Sequence, residues 1–176
     1  MHIYFLRHGD ASSNVRYDDS ERPLTDLGMR QAALVGSFLQ RMNIIIDGVL
    51  SSPLKRAQET ASIVLSGKNT QEVILSEFLL NGSDPQQLYN QMDELEASSV
   101  LIVGHEPYLS EIISLLVGGN RNVEIEMRKC SLALVDIAIP IAQGAGLLKF
   151  LIPVEAFTES SHDTTRKTDG TQNNKN

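Results

Sequence analysis

The chain has 176 residues and a formal charge of −7, from 15 Lys and Arg against 22 Asp and Glu; that length can bury an apolar core without disulfide or metal staples. The acidic balance speaks against nucleic acid or an anionic membrane surface as a partner. The single cysteine, Cys130, excludes an intramolecular disulfide, no apolar run is long enough to cross a bilayer, and the opening MHIYFLRHG is too short an apolar run for a secretory signal, so a cytoplasmic protein is expected.

Two composition zones divide the chain. Residues 1–157 mix apolar periods with turns and form the expected domain, whereas 158–176, TESSHDTTRKTDGTQNNKN, holds no large apolar residue and reads as a polar, flexible tail. In chain order, His2 to Leu6 is the first strand candidate. A helix follows, with Val35, Phe38, Leu39 and Met42 at i, i+3, i+4, i+7 spacing and Thr25 placed to cap its start. Gly48 to Leu50 is a second strand, and Leu54, Ala57, Ala61 and Val64 repeat the helical period. Gly67-Lys68 reads as a helix-ending turn. Val73 to Leu75 is a short third strand, and Leu88, Met92 and Leu95 mark a helix after Asp84. Val100 to Val103 is a fourth strand. Leu109, Ile112, Ile113, Leu116 and Val117 form a helix that Pro107 is suited to begin at its first position. Leu132 to Ile137 and Leu147 to Ile152 complete the strands.

This alternation predicts an α/β fold, a three-layer sandwich in which a central, mostly parallel sheet is covered by helices on both faces. Ligands bind such sheets beyond the carboxyl ends of the strands. Polar residues that follow strands are therefore the ones to inspect.

The first strand ends in Arg7-His8-Gly9 and the fourth in Gly104-His105-Glu106-Pro107, so two histidines leave equivalent strand ends. The second strand runs into Ser51-Ser52-Pro53-Leu54-Lys55-Arg56-Ala57, which sets Arg56 in the first turn of a helix, near the same edge. Helix N-termini favour anions, and arginine forks match phosphoryl oxygens in bidentate fashion. Arg7, His8, Arg56 and His105 thus predict a compact positive pocket for a phosphoryl group on an acidic protein.

Arg7-His8-Gly9, Leu24-Thr25 with Gly28, Gln31 and Ala32, Ser52-Pro53 through Arg56-Ala57 to Thr60-Ala61, and Gly104-His105 together resemble the histidine phosphatase, or phosphoglycerate mutase-like, superfamily. The resemblance runs from residue 4 to about residue 117. It implies that His8 attacks phosphorus, and that Arg7, Arg56 and His105 hold the phosphate oxygens. Neutral imidazole is a competent nucleophile near pH 7 if a hydrogen bond on its other nitrogen fixes the tautomer. Asn14 matches a phosphate-contacting asparagine of mutase-like members, although the serine usual before it is Ala11 here. For a proton donor to the leaving group, the resemblance offers Glu77, after the third strand, and Glu106, placed as in the phytase-like branch, whose large inserted domain this chain lacks. Chain position favours Glu77, and neither need be essential.

The stretch between the third and fourth strands is mostly one helix and leaves no room for a lid. An open site suits phosphate displayed on a protein, and the opening RHGDA and the GHEP segment resemble the SixA-type phosphohistidine phosphatases of bacterial signalling. The expected partner is a phosphohistidine-bearing protein. The alternatives are a phosphatase or mutase of small phosphate esters, and a non-catalytic module that binds phosphorylated partners.

No cofactor is implied, and a metal site is not expected, since His8 and His105 lack the short-spaced ligands of zinc sites. A P-loop is excluded, because Gly67-Lys68 has no upstream glycine partner. His2 is assigned to an edge and His162 to the tail. Cys130 reads as a small buried or half-buried apolar residue and Asp10 as a turn residue. Arg121, Arg128 and Lys129 read as a solvated turn and strand entry, with contact to a substrate protein as the alternative.

Overall fold

A computed structural model describes residues 1–66 and 71–157. The expected turn at Gly67-Lys68, the tail 158–176 and His162 lie outside the described residues. Six strands and four helices alternate: β1 (His2–Arg7), α1 (Asp26–Arg41), β2 (Gly48–Ser51), α2 (Lys55–Leu65), β3 (Val73–Leu75), α3 (Pro85–Glu94), β4 (Ser99–Gly104), α4 (Tyr108–Gly118), β5 (Leu132–Asp136) and β6 (Leu147–Ile152). Single 3-10 turns lie at Asp19–Glu21, Glu77–Leu79 and Val154–Ala156.

The strands join in the order β3-β2-β4-β1-β5-β6. The first four run parallel, and β5 and β6 are antiparallel to their neighbours, so the sheet is mixed. Successive strand residues point to opposite faces, and the burial shows it. Ile3 and Phe5 of β1 join Val100 and Ile102 of β4 against Leu88, Tyr89 and Met92 of α3 and Leu109, Ile112, Ile113 and Leu116 of α4. Tyr4 and Leu6 join Leu101 and Val103 on the other face, against Val35 and Leu39 of α1 and Ala57, Ala61 and Val64 of α2. The three layers expected from the alternation of elements are therefore present.

Local signals set the helix starts. Thr25 accepts from the Gly28 backbone N–H at 3.1 Å and caps α1, and Asp84 accepts from Gln86 N–H at 3.1 Å with Pro85 next in line to open α3. Pro107 does not open α4 at the first helical position as expected. It is the N-cap, and the helix begins at Tyr108; helix ends read from sequence routinely slip by a residue. His2 also departs from its expected placement. Its strand is interior, paired on both sides, and the exposed imidazole sits at the start of β1, 3.4 Å from the Asp136 carboxylate.

Candidate active site

Strand register builds the site. Arg7 pairs with Gly104 in the parallel β1–β4 ladder, so the next residue in each strand, His8 and His105, emerges at the same level of the sheet edge. Their ring centroids are 5.0 Å apart, and both are almost wholly buried. Ser51 pairs with Val103, which sets Ser52 beside them, its Oγ 2.6 Å from His105 Nε2. From the N-terminal turn of α2, the Arg56 Nε–H donates to His8 Nε2 at 3.3 Å.

A brace of side chains holds the turn after β1. Gly9 N–H donates to Thr60 Oγ1 at 3.1 Å, and that hydroxyl donates to Arg56 O at 2.6 Å, which couples the two motifs. Asp10 N–H donates to Gln31 Oε1 at 2.9 Å, and Thr25 Oγ1 donates to Asp10 Oδ2 at 2.7 Å. The turn lies directly on the start of α1. A Cβ at Gly9 would come within 2.7 Å of Gly28 O, and one at Gly28 within 2.0 Å of Asp10 O. Both glycines of the sequence motifs are there because two backbones touch. Asp10 is more than the expected turn residue, since its carboxylate ties the turn to the α1 cap.

His8 Nδ1 lies 2.7 Å from Gly9 O. A carbonyl can only accept, so Nδ1 carries the proton and Nε2 presents its lone pair. Burial, then the Lys129 charge, then His105 and Arg56, hold the His8 pKa down at about 2, against the raising effect of the Gly9 bond. Burial and the Arg56 charge lower His105 to about 4. Both imidazoles are neutral near pH 7. Arg7 Nη1 donates to Met127 O at 2.8 Å, while its buried Nε and the buried His105 Nδ1 have no partner among the described residues. An oxyanion would satisfy such donors.

The other expected residues divide. Asn14 is exposed, and its Oδ1 accepts from Arg16 N–H at 3.0 Å within its own turn; among the described residues no hydrogen bond ties it to His8, Arg7, Arg56 or His105. Glu77 is exposed at the start of a 3-10 turn, and its backbone O accepts from Ser83 Oγ at 3.1 Å; no hydrogen bond or ion pair among the described residues links it to those four. Glu106 is half-buried, accepts from Ser110 Oγ through Oε2, and leaves Oε1 buried without a partner among the described residues. Burial raises its pKa against the opposing influence of Ser110 and of the Arg7 charge. Of the two carboxylates, Glu106 has the environment of a proton donor.

A family model described as the histidine phosphatase superfamily (branch 1) matches residues 3–80. The phosphohistidine phosphatase SixA of Escherichia coli (strain K12) is 30% identical over 127 residues, which cover 68% of this chain and 76% of that protein. The chain belongs to the histidine phosphatase superfamily. A solved SixA structure, a protein histidine phosphatase complexed with tungstate, superposes with a TM-score of 0.81 at 23% identity, over 90% of this histidine phosphatase and all of that chain. The adenosylcobalamin/alpha-ribazole phosphatase of Salmonella typhi is 36% identical over 80 residues, 44% of this chain and 39% of that protein.

In this histidine phosphatase three site features went unread in the sequence. Ser52 and Thr60 stand inside the motifs but were not assigned roles, and here they position His105 and the Gly9 turn. Asp19 accepts from Arg56 Nη2 at 3.1 Å through its carboxylate, and from Arg56 Nη1 at 2.6 Å through its carbonyl. Lys129 contradicts the solvated reading: it is half-buried, with Nζ 3.5 Å from His8 Nε2. Arg121 and Arg128 are exposed as expected, near Glu111 at 3.8 Å and Glu126 at 3.5 Å. Among the described residues no group of three His, Cys, Asp or Glu is placed to hold a metal ion, and no helix is long and apolar enough to cross a membrane.

Proposed function

We propose that this histidine phosphatase removes the phosphoryl group from phosphohistidine on a signalling protein of the cytoplasm, without a metal, through a phosphate held transiently on His8. The observation that carries this reading is the His8 imidazole itself. Its tautomer is fixed by Gly9 O, and its lone pair faces the Arg56 guanidinium and the Lys129 ammonium.

In the first step His8 Nε2 bonds to phosphorus as the bond from phosphorus to the substrate nitrogen breaks, and the electron pair stays on that nitrogen, which takes up a proton from the Glu106 carboxyl. Arg56 Nε gives up its bond to Nε2 and turns its hydrogen to a phosphoryl oxygen. Water then displaces the phosphate from His8 and passes a proton to the Glu106 carboxylate, which restores the neutral imidazole and the carboxyl and releases inorganic phosphate. Fixed cations stabilise charge on the equatorial oxygens in both steps. An imidazole leaving group departs with less help than an alkoxide, so a single half-buried Glu106 suffices here.

The substrate class draws support from the SixA relatives and from the short connection between β3 and β4, a 3-10 turn and the ten-residue α3. A second reading, hydrolysis of small phosphate esters, is favoured by the similarity to the alpha-ribazole phosphatase. Rapid quenching with a radiolabelled phosphohistidine protein beside a panel of sugar phosphates separates them. We expect label on His8 in a bond labile to acid and stable to base, with kcat/KM highest for the phosphohistidine protein. Label on another residue, or undiminished turnover by His8→Ala, overturns the nucleophile. Equal or better turnover of a sugar phosphate overturns the substrate class.

A further inference from the structure

We propose that Lys129 is a third cationic ligand of the transferring phosphoryl group, gripping an equatorial oxygen beside the nucleophile. The inference rests on the phosphatase reading of His8 and adds a residue that none of the motifs contains.

Three observations carry it. The first is position. Lys129 Nζ stands 3.5 Å from His8 Nε2, the atom that bonds to phosphorus. One bond from Nε2 to phosphorus and one more to oxygen bring the phosphoryl oxygens within donating reach of an ammonium so placed. The leaving group sits on the far side of phosphorus in an in-line displacement. A cation beside Nε2 therefore faces equatorial oxygens and not the leaving atom, which makes Lys129 an oxygen ligand and not a proton donor.

The second is the way the turn is fastened. Cys130 N–H donates to Arg7 O at 3.1 Å, Arg7 N–H donates to Ser131 O at 3.3 Å, and Ser131 N–H closes the turn on Arg128 O at 2.9 Å. Cys130 itself has a φ of 54°, in the left-handed region that favours glycine. The backbone is bent against its preference at the residue next to Lys129, and such bends collect at functional sites.

The third is charge. Among the described residues no carboxylate lies within ion-pair distance of Lys129 Nζ, while Arg7 at the end of β1, Arg56 on α2 and Arg22 before α1 all oppose its charge and only Asp10 supports it. His8 and His105 also face it and are neutral near pH 7. Burial, then Arg7, lowers the ammonium to about 8. An ammonium held among like charges with no carboxylate of its own is relieved by a dianionic guest.

The test is titration calorimetry of the full chain with inorganic phosphate, together with turnover of a phosphohistidine protein. Lys129→Gln should bind phosphate about ten- to a hundredfold more weakly and lose a similar factor in kcat/KM, the range of one charge-assisted hydrogen bond. Lys129→Arg should keep most of both, and Arg128→Gln, one residue away and solvent-exposed, should match the wild type. In the free enzyme the wild-type kcat/KM should fall above pH about 8, and Lys129→Arg should remove that fall, since a guanidinium stays charged there. Lys129→Gln that is folded by circular dichroism yet binds and turns over as the wild type overturns the proposal. If Lys129→Gln does not fold, an alkaline fall that persists in Lys129→Arg overturns it instead. Should the wild type bind phosphate but turn over nothing, with binding weakened by Lys129→Gln, the oxygen ligand stands and the phosphatase reading falls.

Discussion

His8 and His105 are neutral at rest because they are buried among cations, and this has two measurable consequences at low pH. A nucleophile lowered to about 2 does not lose its lone pair through the ordinary histidine range, so kcat/KM should stay flat from pH 7 to about 5. A fall centred near 6.5 in the free enzyme would show that His8 titrates as an exposed imidazole does. Stability should behave differently. Unfolded, both imidazoles take up a proton near pH 6.5, whereas folded they resist to about 2 and about 4. The unfolded chain thus binds more protons below pH 6.5, so their contribution is complete above that pH and is lost as pH falls, by at most about 1.4 kcal/mol per pH unit for each histidine. Urea midpoints at pH 7 and pH 5 measure the loss, and a midpoint unchanged over that interval would contradict it. The carboxylates differ at the same scale. Glu106→Gln should slow hydrolysis of alkyl phosphates by about 10²- to 10⁴-fold, the usual worth of a general acid, and slow phosphohistidine hydrolysis far less. Exposed Glu77→Gln should alter neither rate. The reverse pattern, read from kcat on both substrates, would restore the residue that chain position favoured.

The elements that carry the site are held together by backbone contact, and this explains why part of the site was legible in the sequence. Arg7, His8, Arg56 and His105 could be read because each stands at or shortly beyond the carboxyl end of a strand, and parallel register brings strand ends together. Gly28 and Gln31, on a helix some twenty residues away, are in the motifs because they seat the His8 turn. Gly28→Ala should therefore lower both stability and turnover. Its Cβ would need to share space with Asp10 O, 2.0 Å away, and overpacking of this kind costs about 1–3 kcal/mol or more. Thr25→Ala removes the α1 cap together with the bond to Asp10, for a loss of about 1 kcal/mol. Urea unfolding reads both, and a Gly28→Ala protein as stable as the wild type would mean that the turn can move off α1. Lys129 was illegible for the opposite reason. It comes from the irregular chain between α4 and β5, where no periodicity reports direction, and only the long-range bonds of Cys130 and Ser131 to Arg7 turn it inward. The reversed direction of β5, antiparallel to both β1 and β6, was hidden in the same way, since a strand's apolar pattern reads alike in either direction.

At the scale of the whole molecule the net charge of −7 and the cationic pocket point in opposite directions. The acidic excess turned attention to a local cluster of cations, but it carries no information on where they meet. In the proposed mechanism Arg7, Arg56 and Lys129 supply the positive charge that a magnesium ion supplies in other phosphoryl-transfer sites. Activity should therefore survive exhaustive chelation, and a loss restored by added divalent cation would contradict the metal-free mechanism. The lone thiol completes the contrast with enzymes that attack phosphate through sulfur. Cys130 is fully buried, and burial pushes its pKa up to about 12, so almost none of it is thiolate at neutral pH, and the thiolate is what peroxide attacks. With the proposed nitrogen nucleophile, and its one sulfhydryl buried in the turn bonded to Arg7, this phosphatase should go on working under an oxidative burst that silences cysteine-dependent ones.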